Sequence, residues 1–212
     1  SWKFITRKHS TMTKEQLLSS FSKLCSNIDT SAVLEKECKN YFKQPINSLT
    51  EAAVLVPIID RPDNLTVLFT QRSKKLRDHP GQVSFPGGRT ETFDKGPVDT
   101  ALRESTEEIG LLPKQVEIIG KLDICLTGTG FRVVPIVGIV KPPLQLQLDE
   151  FEVADVFEIP LKLLLKPELY RIENLQTESG PVREFYALDY KQWYIWGATA
   201  RMLVNLRELL TE

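Results

Sequence analysis

Histidine occurs only at His9 and His79 in the 212 residues, and cysteine only at Cys25, Cys38 and Cys125. With so few imidazoles, a Ser-His-Asp or Cys-His arrangement is not easily assembled, and covalent catalysis is not expected. Three thiols, an odd number without short metal-type spacings, argue against a disulfide framework and for reduced cysteines in an intracellular setting. No apolar run approaches the ~20 residues of a spanning helix, and no secretory leader with a clean cleavage site is found. A surplus of one charge sign is missing too, since 27 basic residues face 28 acidic ones for a net charge of −1. That balance speaks against a nucleic-acid backbone as the main partner. Repeats and low-complexity tracts are absent. What is present, 42% hydrophobic and 26% charged residues, suits one domain with a sizeable core. The expected location is the cytoplasm, with an organelle matrix also compatible.

The most informative stretch runs from Pro86 to Leu111, PGGRTETFDKGPVDTALRESTEEIGL. Pro97, a favoured first-turn residue, and Gly110, a favoured left-handed terminator, bracket a predicted helix. On that helix Glu104, Glu107 and Glu108 share an arc of roughly a quarter turn. Val98, Ala101, Leu102, Ser105 and Ile109 form the neighbouring apolar face. Glutamates on a helix are usually just solvated. Here, however, like charges are crowded at destabilising spacing, and only Glu107 has a base one turn away, Arg103. Gly87 and Gly88 let backbone approach a ligand closely. The pattern therefore points to a cation held by hard oxygen donors, Mg²⁺ or Mn²⁺ rather than Zn²⁺.

Directly upstream, Arg72, Lys74, Lys75, Arg77 and His79 face the single acid Asp78. This segment is either a solvated basic turn or an anion-binding segment, and arginine is favoured for bidentate phosphate contacts. His79, beside Pro80 and Gly81, either contacts phosphate or shapes the loop. Further along, QLDEFEVADVF from Gln147 to Phe157 offers Glu150 and Glu152 as additional carboxylates, and Gly128 to Arg132 forms a separate loop of interest. Tyr186, Trp193, Tyr194 and Trp196 could stack on a base, although aromatic residues in strands more often fill a core.

Residues 1–12 read as a cloning remnant or flexible lead, 13–50 as a helical N-terminal appendage and 51–212 as the main domain. In the appendage, Leu17, Leu18, Phe21, Leu24 and Cys25 recur at helical spacing, and Val33 to Phe42 suggests a second short helix. Strands are predicted at Ala52–Ile59, Thr66–Thr70, Val116–Leu122, Phe131–Val140 and Val153–Ile159, and a hairpin over Leu175–Tyr190 around Glu178, Ser179, Gly180 and Pro181. Thr199, Met202, Leu203, Leu206, Leu209 and Leu210 have the spacing of a helix that covers a sheet. The fold class is α+β, a mixed sheet sandwiched between helices.

Arg103, Glu104, Glu107, Glu108, Gly110 and Leu111 resemble the signature helix of the Nudix hydrolases, with Ser105 at a position that is usually hydrophobic and Asp94 as the preceding acid. One extra residue separates Asp94 from Arg103, a spacing found in one branch. LFTQRSKKLRDHPGQVSFPGG, Leu68 to Gly88, is similar to the extended signature of the coenzyme A pyrophosphatases, although Glu91 stands where that branch usually has an aspartate. The resemblance implies a Nudix fold and metal-dependent attack of water on a diphosphate, giving 3′,5′-ADP and phosphopantetheine or its acylated form. It also implies Glu104, Glu107, Glu108 and the Gly88 carbonyl as metal ligands, one carboxylate as base, and Arg103 fastened to Asp94 with Gly87 in support. The substrate is expected to be CoA-like, with Arg72 to His79 binding its phosphates. No nucleic acid or membrane partner is expected; homodimers are common among such enzymes, though no residue pattern here fixes one. Two other readings compete: a Nudix hydrolase of ADP-ribose, NADH or a dinucleoside polyphosphate, and a non-catalytic nucleotide sensor.

Overall fold

The apolar run Ala52–Ile59 becomes the centre of a sheet. A computed structural model of the protein describes residues 12–23, 45, 48–176 and 182–211. In it, β1 (Thr50–Asp60) pairs in parallel with β7 (Phe131–Val140) from Thr50↔Phe131 to Ile59↔Val140. Parallel strands covered on both faces read as nearly continuous apolar sequence, as both of these do. β2 (Leu65–Arg72) pairs antiparallel with the end of β1 and, on its other edge, with β8 (Val153–Pro160). β5 (Val116–Lys121) and β6 (Cys125–Leu126) share the outer edge of β7. Two short segments, β3 (Val83–Ser84) and β4 (Gly87–Arg89), complete an eight-stranded mixed sheet by pairing with β2 and β1.

Prolines are poorly tolerated inside a sheet because they cannot donate to the ladder. Pro57 and Pro135 nevertheless lie in the two central strands, each where the neighbouring strand changes. β1 pairs with β4 through Val54 and with β2 from Ile58, so Pro57 falls in the gap. β7 pairs with β6 through Val133 and with β5 from Ile136, so Pro135 falls in another. The first gap is where the β3–β4 segment enters between β1 and β2.

Alternation along β1 divides the core. Ala53, Leu55 and Ile59 point to one face, where α2 (Pro97–Ile109) contributes Ala101 and Ile109. Ala52, Val56 and Ile58 point to the other, with Leu17 and Phe21 of α1 (Lys14–Lys23) and Met202, Leu203, Leu206 and Leu210 of α4 (Gly197–Thr211). A second sheet of β9 (Arg171–Leu175), β10 (Arg183–Tyr190) and β11 (Trp193–Trp196) packs there as well, after the short α3 (Leu161–Leu164). The hairpin expected over Leu175–Tyr190 starts earlier than those bounds: its first strand is β9, which ends at Leu175 and pairs with β10 from Arg171↔Ala187 to Leu175↔Arg183. Leu17 is fully buried, so α1 is part of the core. β3, β4, β6 and β11 carry no strand pattern in the sequence, because segments of two to four residues are too short to display a period. His9, Leu24, Cys25, Cys38, the Val33–Phe42 helix and the turn at Glu178, Ser179, Gly180 and Pro181 lie outside the described residues. Among the described residues no helix is long and apolar enough to cross a membrane.

An aromatic stack joins the two sheets. Phe69, fully buried, lies 5.0 Å from Phe85 and 5.4 Å from Phe157, and Phe157 lies 4.1 Å from Trp193 in a nearly parallel pair. Phe69→Ala is expected to cost about 3–5 kcal/mol in urea unfolding, because it removes one of the two inner rings and leaves a cavity. A loss below 1 kcal/mol would show that the stack does not hold the sheets together.

Candidate active site

α2 begins at Pro97 and ends at Gly110, which adopts φ 70° and donates its backbone N–H to the Ser105 and Thr106 carbonyls. This left-handed turn favours glycine. Ala101, Ser105 and Ile109 are buried along one stripe, and Ser105 satisfies its hydroxyl by donating to the Ala101 carbonyl at 2.7 Å. The helix lies so close to β4 that a Cβ on Gly88 would sit 2.6 Å from the Glu104 carboxylate, and β1 lies so close that one on Gly87 would sit 2.4 Å from the Ala53 carbonyl oxygen. Gly87 cannot carry a side chain without the backbone moving, whereas one at Gly88 would push the Glu104 carboxylate aside.

Arg103 ties the loop to the helix. Its Nε donates to Asp94 Oδ1 at 3.0 Å and its Nη2 to Asp94 Oδ2 at 3.0 Å, a bidentate pair. Nη2 also donates to the Arg89 carbonyl at 2.9 Å, while Nη1 reaches Glu104 at 2.9 Å and Glu107 at 3.1 Å. Asp94 Oδ2 further accepts from the Glu91 amide and the Thr100 hydroxyl, each at 2.9 Å. These contacts, Arg103 foremost, hold the Asp94 carboxyl far below the usual carboxylate range. Thr100, buried and six residues after Asp94, carried no signal in the sequence that marked it as a partner.

The three helix acids do not share one border, as their spacing alone suggested. Glu108 is buried at 5% exposure, Glu104 is half-buried and Glu107 is exposed. Burial pushes the Glu108 carboxyl up to about 8, with Glu104 and Glu152 adding to the rise; Arg72 and the Gly87 amide oppose it. Burial also raises Glu104, against the pull of its hydrogen bond from Arg103.

Glu152 reaches these acids because its chain segment is tied to the end of α2. The amides of Gln147 and Asp149 donate to the Ile109 and Glu108 carbonyls at 3.0 and 2.9 Å. The Ser73 amide in turn donates to the Glu152 carbonyl at 2.8 Å. Glu150 is not brought in: it is exposed and lines a recess of about 530 Å³ with Ser73, Lys75, Leu148, Val153 and Ala154.

The basic segment splits into two environments. Arg72, at the end of β2, acts electrostatically on Glu108, and its buried Nε has no hydrogen-bond partner among the described residues. Lys74, Lys75, Arg77 and His79 are exposed on the turn that leads to β3. His79 takes a left-handed φ of 53° within that turn. The candidate stacking residues are occupied structurally: Trp193 is buried on Phe157, Tyr186 packs on the core, Trp196 meets Phe185 edge-on, and the Tyr194 hydroxyl donates to Glu173 at 2.8 Å.

A divalent cation suits this donor set. Glu108 is buried with Glu104 and Glu152 as like-charged neighbours, Gly88 leaves room beside Glu104, and every donor is oxygen. Among the described residues, no three acid, imidazole or thiol groups already converge closely enough to hold a metal ion. Glu107 in particular is turned to Arg103.

A mixed sheet between helices, with an acidic helix pressed on a diglycine strand, defines the class of fold. Residues 49–175, more than half of the chain, match the NUDIX domain, and the chain belongs to that family. It is 40% identical over 156 residues to the uncharacterized Nudix hydrolase NudL of Enterobacter sp. (strain 638), covering 74% of this chain and 80% of that protein. NudL of Escherichia coli (strain K12) gives the same identity and coverage. The solved Ap4A hydrolase of C. elegans, as a binary complex, is 20% identical with a TM-score of 0.47, covering 52% of this chain and 80% of that one.

The raised carboxyl at Glu108 has a stability consequence in chelator. An acid whose folded pKa lies near 8 and whose unfolded value is near 4.5 destabilises the fold progressively as pH rises through that window. Glu108→Gln is therefore expected to leave stability unchanged at pH 4 and to raise it by about 1–3 kcal/mol at pH 8.5, read by urea unfolding. Parallel pH profiles for the two proteins would refute the assignment.

Proposed function

We propose that this Nudix protein is a divalent-metal-dependent hydrolase of nucleotide diphosphates whose substrate is coenzyme A or acyl-coenzyme A. The products are 3′,5′-ADP and phosphopantetheine or its acylated form. The observation that carries the hydrolase reading is the buried Glu108 beside Glu104, whose carboxylate sits where a side chain at Gly88 would be. Support for the coenzyme A reading comes from Leu68 to Gly88, the signature segment that forms β2, the basic turn, β3 and β4 in one continuous run into the site.

Glu104, Glu107, Glu108 and the Gly88 carbonyl are the proposed holders of Mg²⁺ or Mn²⁺. When bound, such a cation supplies positive charge against the phosphoryl oxygens and acidity to a water nucleophile. One carboxylate of the set, with Glu104 as ligand or base, accepts the proton of the attacking water. Glu152 adds negative charge at the rim, which strengthens the demand for a cation. Arg103, held in place by Asp94, fixes the side chains of Glu104 and Glu107 from the helix itself. Arg72, whose Nε has no partner among the described residues, and the exposed Lys74, Lys75, Arg77 and His79 are the proposed contacts to substrate phosphates.

Product-resolved hydrolysis with Mg²⁺ or Mn²⁺ tests both levels of the reading. Coenzyme A is expected to be cleaved faster than ADP-ribose or NADH, and Glu107→Gln to lose roughly 10²-fold or more of that rate. Faster cleavage of ADP-ribose or NADH would replace the substrate while keeping the chemistry. No cleavage of any of them would overturn the hydrolase reading in favour of a nucleotide sensor.

A further inference from the structure

We propose that Arg89, Phe131 and Arg183 form a second phosphate site, on the sheet face opposite the carboxylates, that takes a phosphate monoester on the ribose of the substrate nucleotide. It rests on the reading of the carboxylate site as a nucleotide diphosphate hydrolase. Gly88 faces α2, since a Cβ there would meet Glu104. Adjacent strand residues face opposite ways, so Arg89 projects from the other side of β4. The cross-strand partners agree: Gly88 pairs with Ala53 of the α2-side core, and Arg89 with Ala52 of the opposite core.

There the Arg89 guanidinium lies over the Phe131 ring, 5.3 Å from its centroid. Arg89 is exposed, and its side chain forms no hydrogen bond or ion pair among the described residues. A cation over a ring face is attracted without spending its N–H groups on a hydrogen-bond acceptor, so the donors that grip phosphate in a bidentate way stay uncommitted. Phe131 closes a tight turn: the Thr127 amide donates to the Phe131 carbonyl at 3.0 Å, and the Phe131 amide to the Thr127 hydroxyl at 3.1 Å. Within that turn Gly128 lies beside Arg183, whose Nη1 is 3.7 Å from where a Cβ would stand. At Gly130, with φ 88°, an added Cβ would meet nothing within 4 Å. Guanidinium groups from β4 and β10 thus lie against the same turn before β7, Arg89 at Phe131 and Arg183 at Gly128.

The backbone fixes this face to the carboxylates, because the Arg89 carbonyl accepts from Arg103 at 2.9 Å and Arg89 directly follows Gly88. A nucleotide with its diphosphate beside Glu104 and Glu108 would pass over the β4 edge to place a ribose phosphate here. Coenzyme A carries such a group at its 3′ position; its dephospho form, ADP-ribose and NADH do not.

The test is calorimetric binding of 3′,5′-ADP and of 5′-AMP to the full chain, which has no scissile bond to confuse the reading. It is run with Arg89→Ala, Arg183→Ala and the double variant, and folding is verified by thermal midpoint. The wild type is expected to prefer 3′,5′-ADP, and each single variant to weaken 3′,5′-ADP about 10- to 100-fold with far less effect on 5′-AMP. In hydrolysis, the ratio of kcat/KM for coenzyme A to that for dephospho-coenzyme A is expected to fall in parallel. A wild type without the preference, or a preference that survives in the double variant, would overturn the site. If the preference is present and lost as expected but coenzyme A is not cleaved, the site stands and the substrate reading fails. If coenzyme A and its dephospho form are cleaved equally well by all four proteins, the substrate reading stands and the site fails.

Discussion

The bidentate pair between Arg103 and Asp94 is the constraint on which the rest of the site depends. It closes the loop after β4 onto α2, and it satisfies the only base within a turn of the glutamates with a fixed geometry rather than a mobile one. From that anchor one side chain reaches Glu104, Glu107 and the Arg89 backbone together. A charge-assisted fork is both stronger and more directional than a single neutral hydrogen bond. Its position, with Arg103 only half-buried and Asp94 nearly buried, lets it resist screening better than an exposed pair.

Around this anchor the fold concentrates negative charge where it is least tolerated. Glu108 is inside, Glu104 is beside it, and the 147–152 segment is hydrogen-bonded to the end of α2 so that Glu152 comes near both. Arg72 and the Gly87 amide relieve only part of that cost. Natural structures accept such local conflict chiefly where it serves binding or chemistry. The conflict is held open by a well-packed frame: two parallel central strands, helices on both faces, and the ring stack from Phe85 to Trp193.

Prolines in the centre of the sheet illustrate the same economy of design. Pro57 sits where β1 exchanges β4 for β2, and that exchange is what admits the diglycine strand next to α2. The missing N–H is placed where no ladder bond was to be made.

From the sequence alone came the long strands, the bounds of α2 set by Pro97 and Gly110, the acidic arc, and the family likeness, because periodicity, caps and short motifs are local properties of a chain. Glu104, Glu107 and Glu108 could be grouped on one arc by helical geometry, but their burial could not be ranked, since exposure depends on what packs against the helix. Only the tertiary structure buried Glu108 and set Glu152 near the helix acids while leaving Glu150, two residues away in the same pinned segment, exposed. It set Arg72 apart from its basic neighbours because a strand end and an exposed turn are different environments. It turned Arg89, silent beside the diglycine in the sequence, to the far face with Phe131, since a strand sends neighbouring side chains to opposite sides and only strand pairing says which side is which.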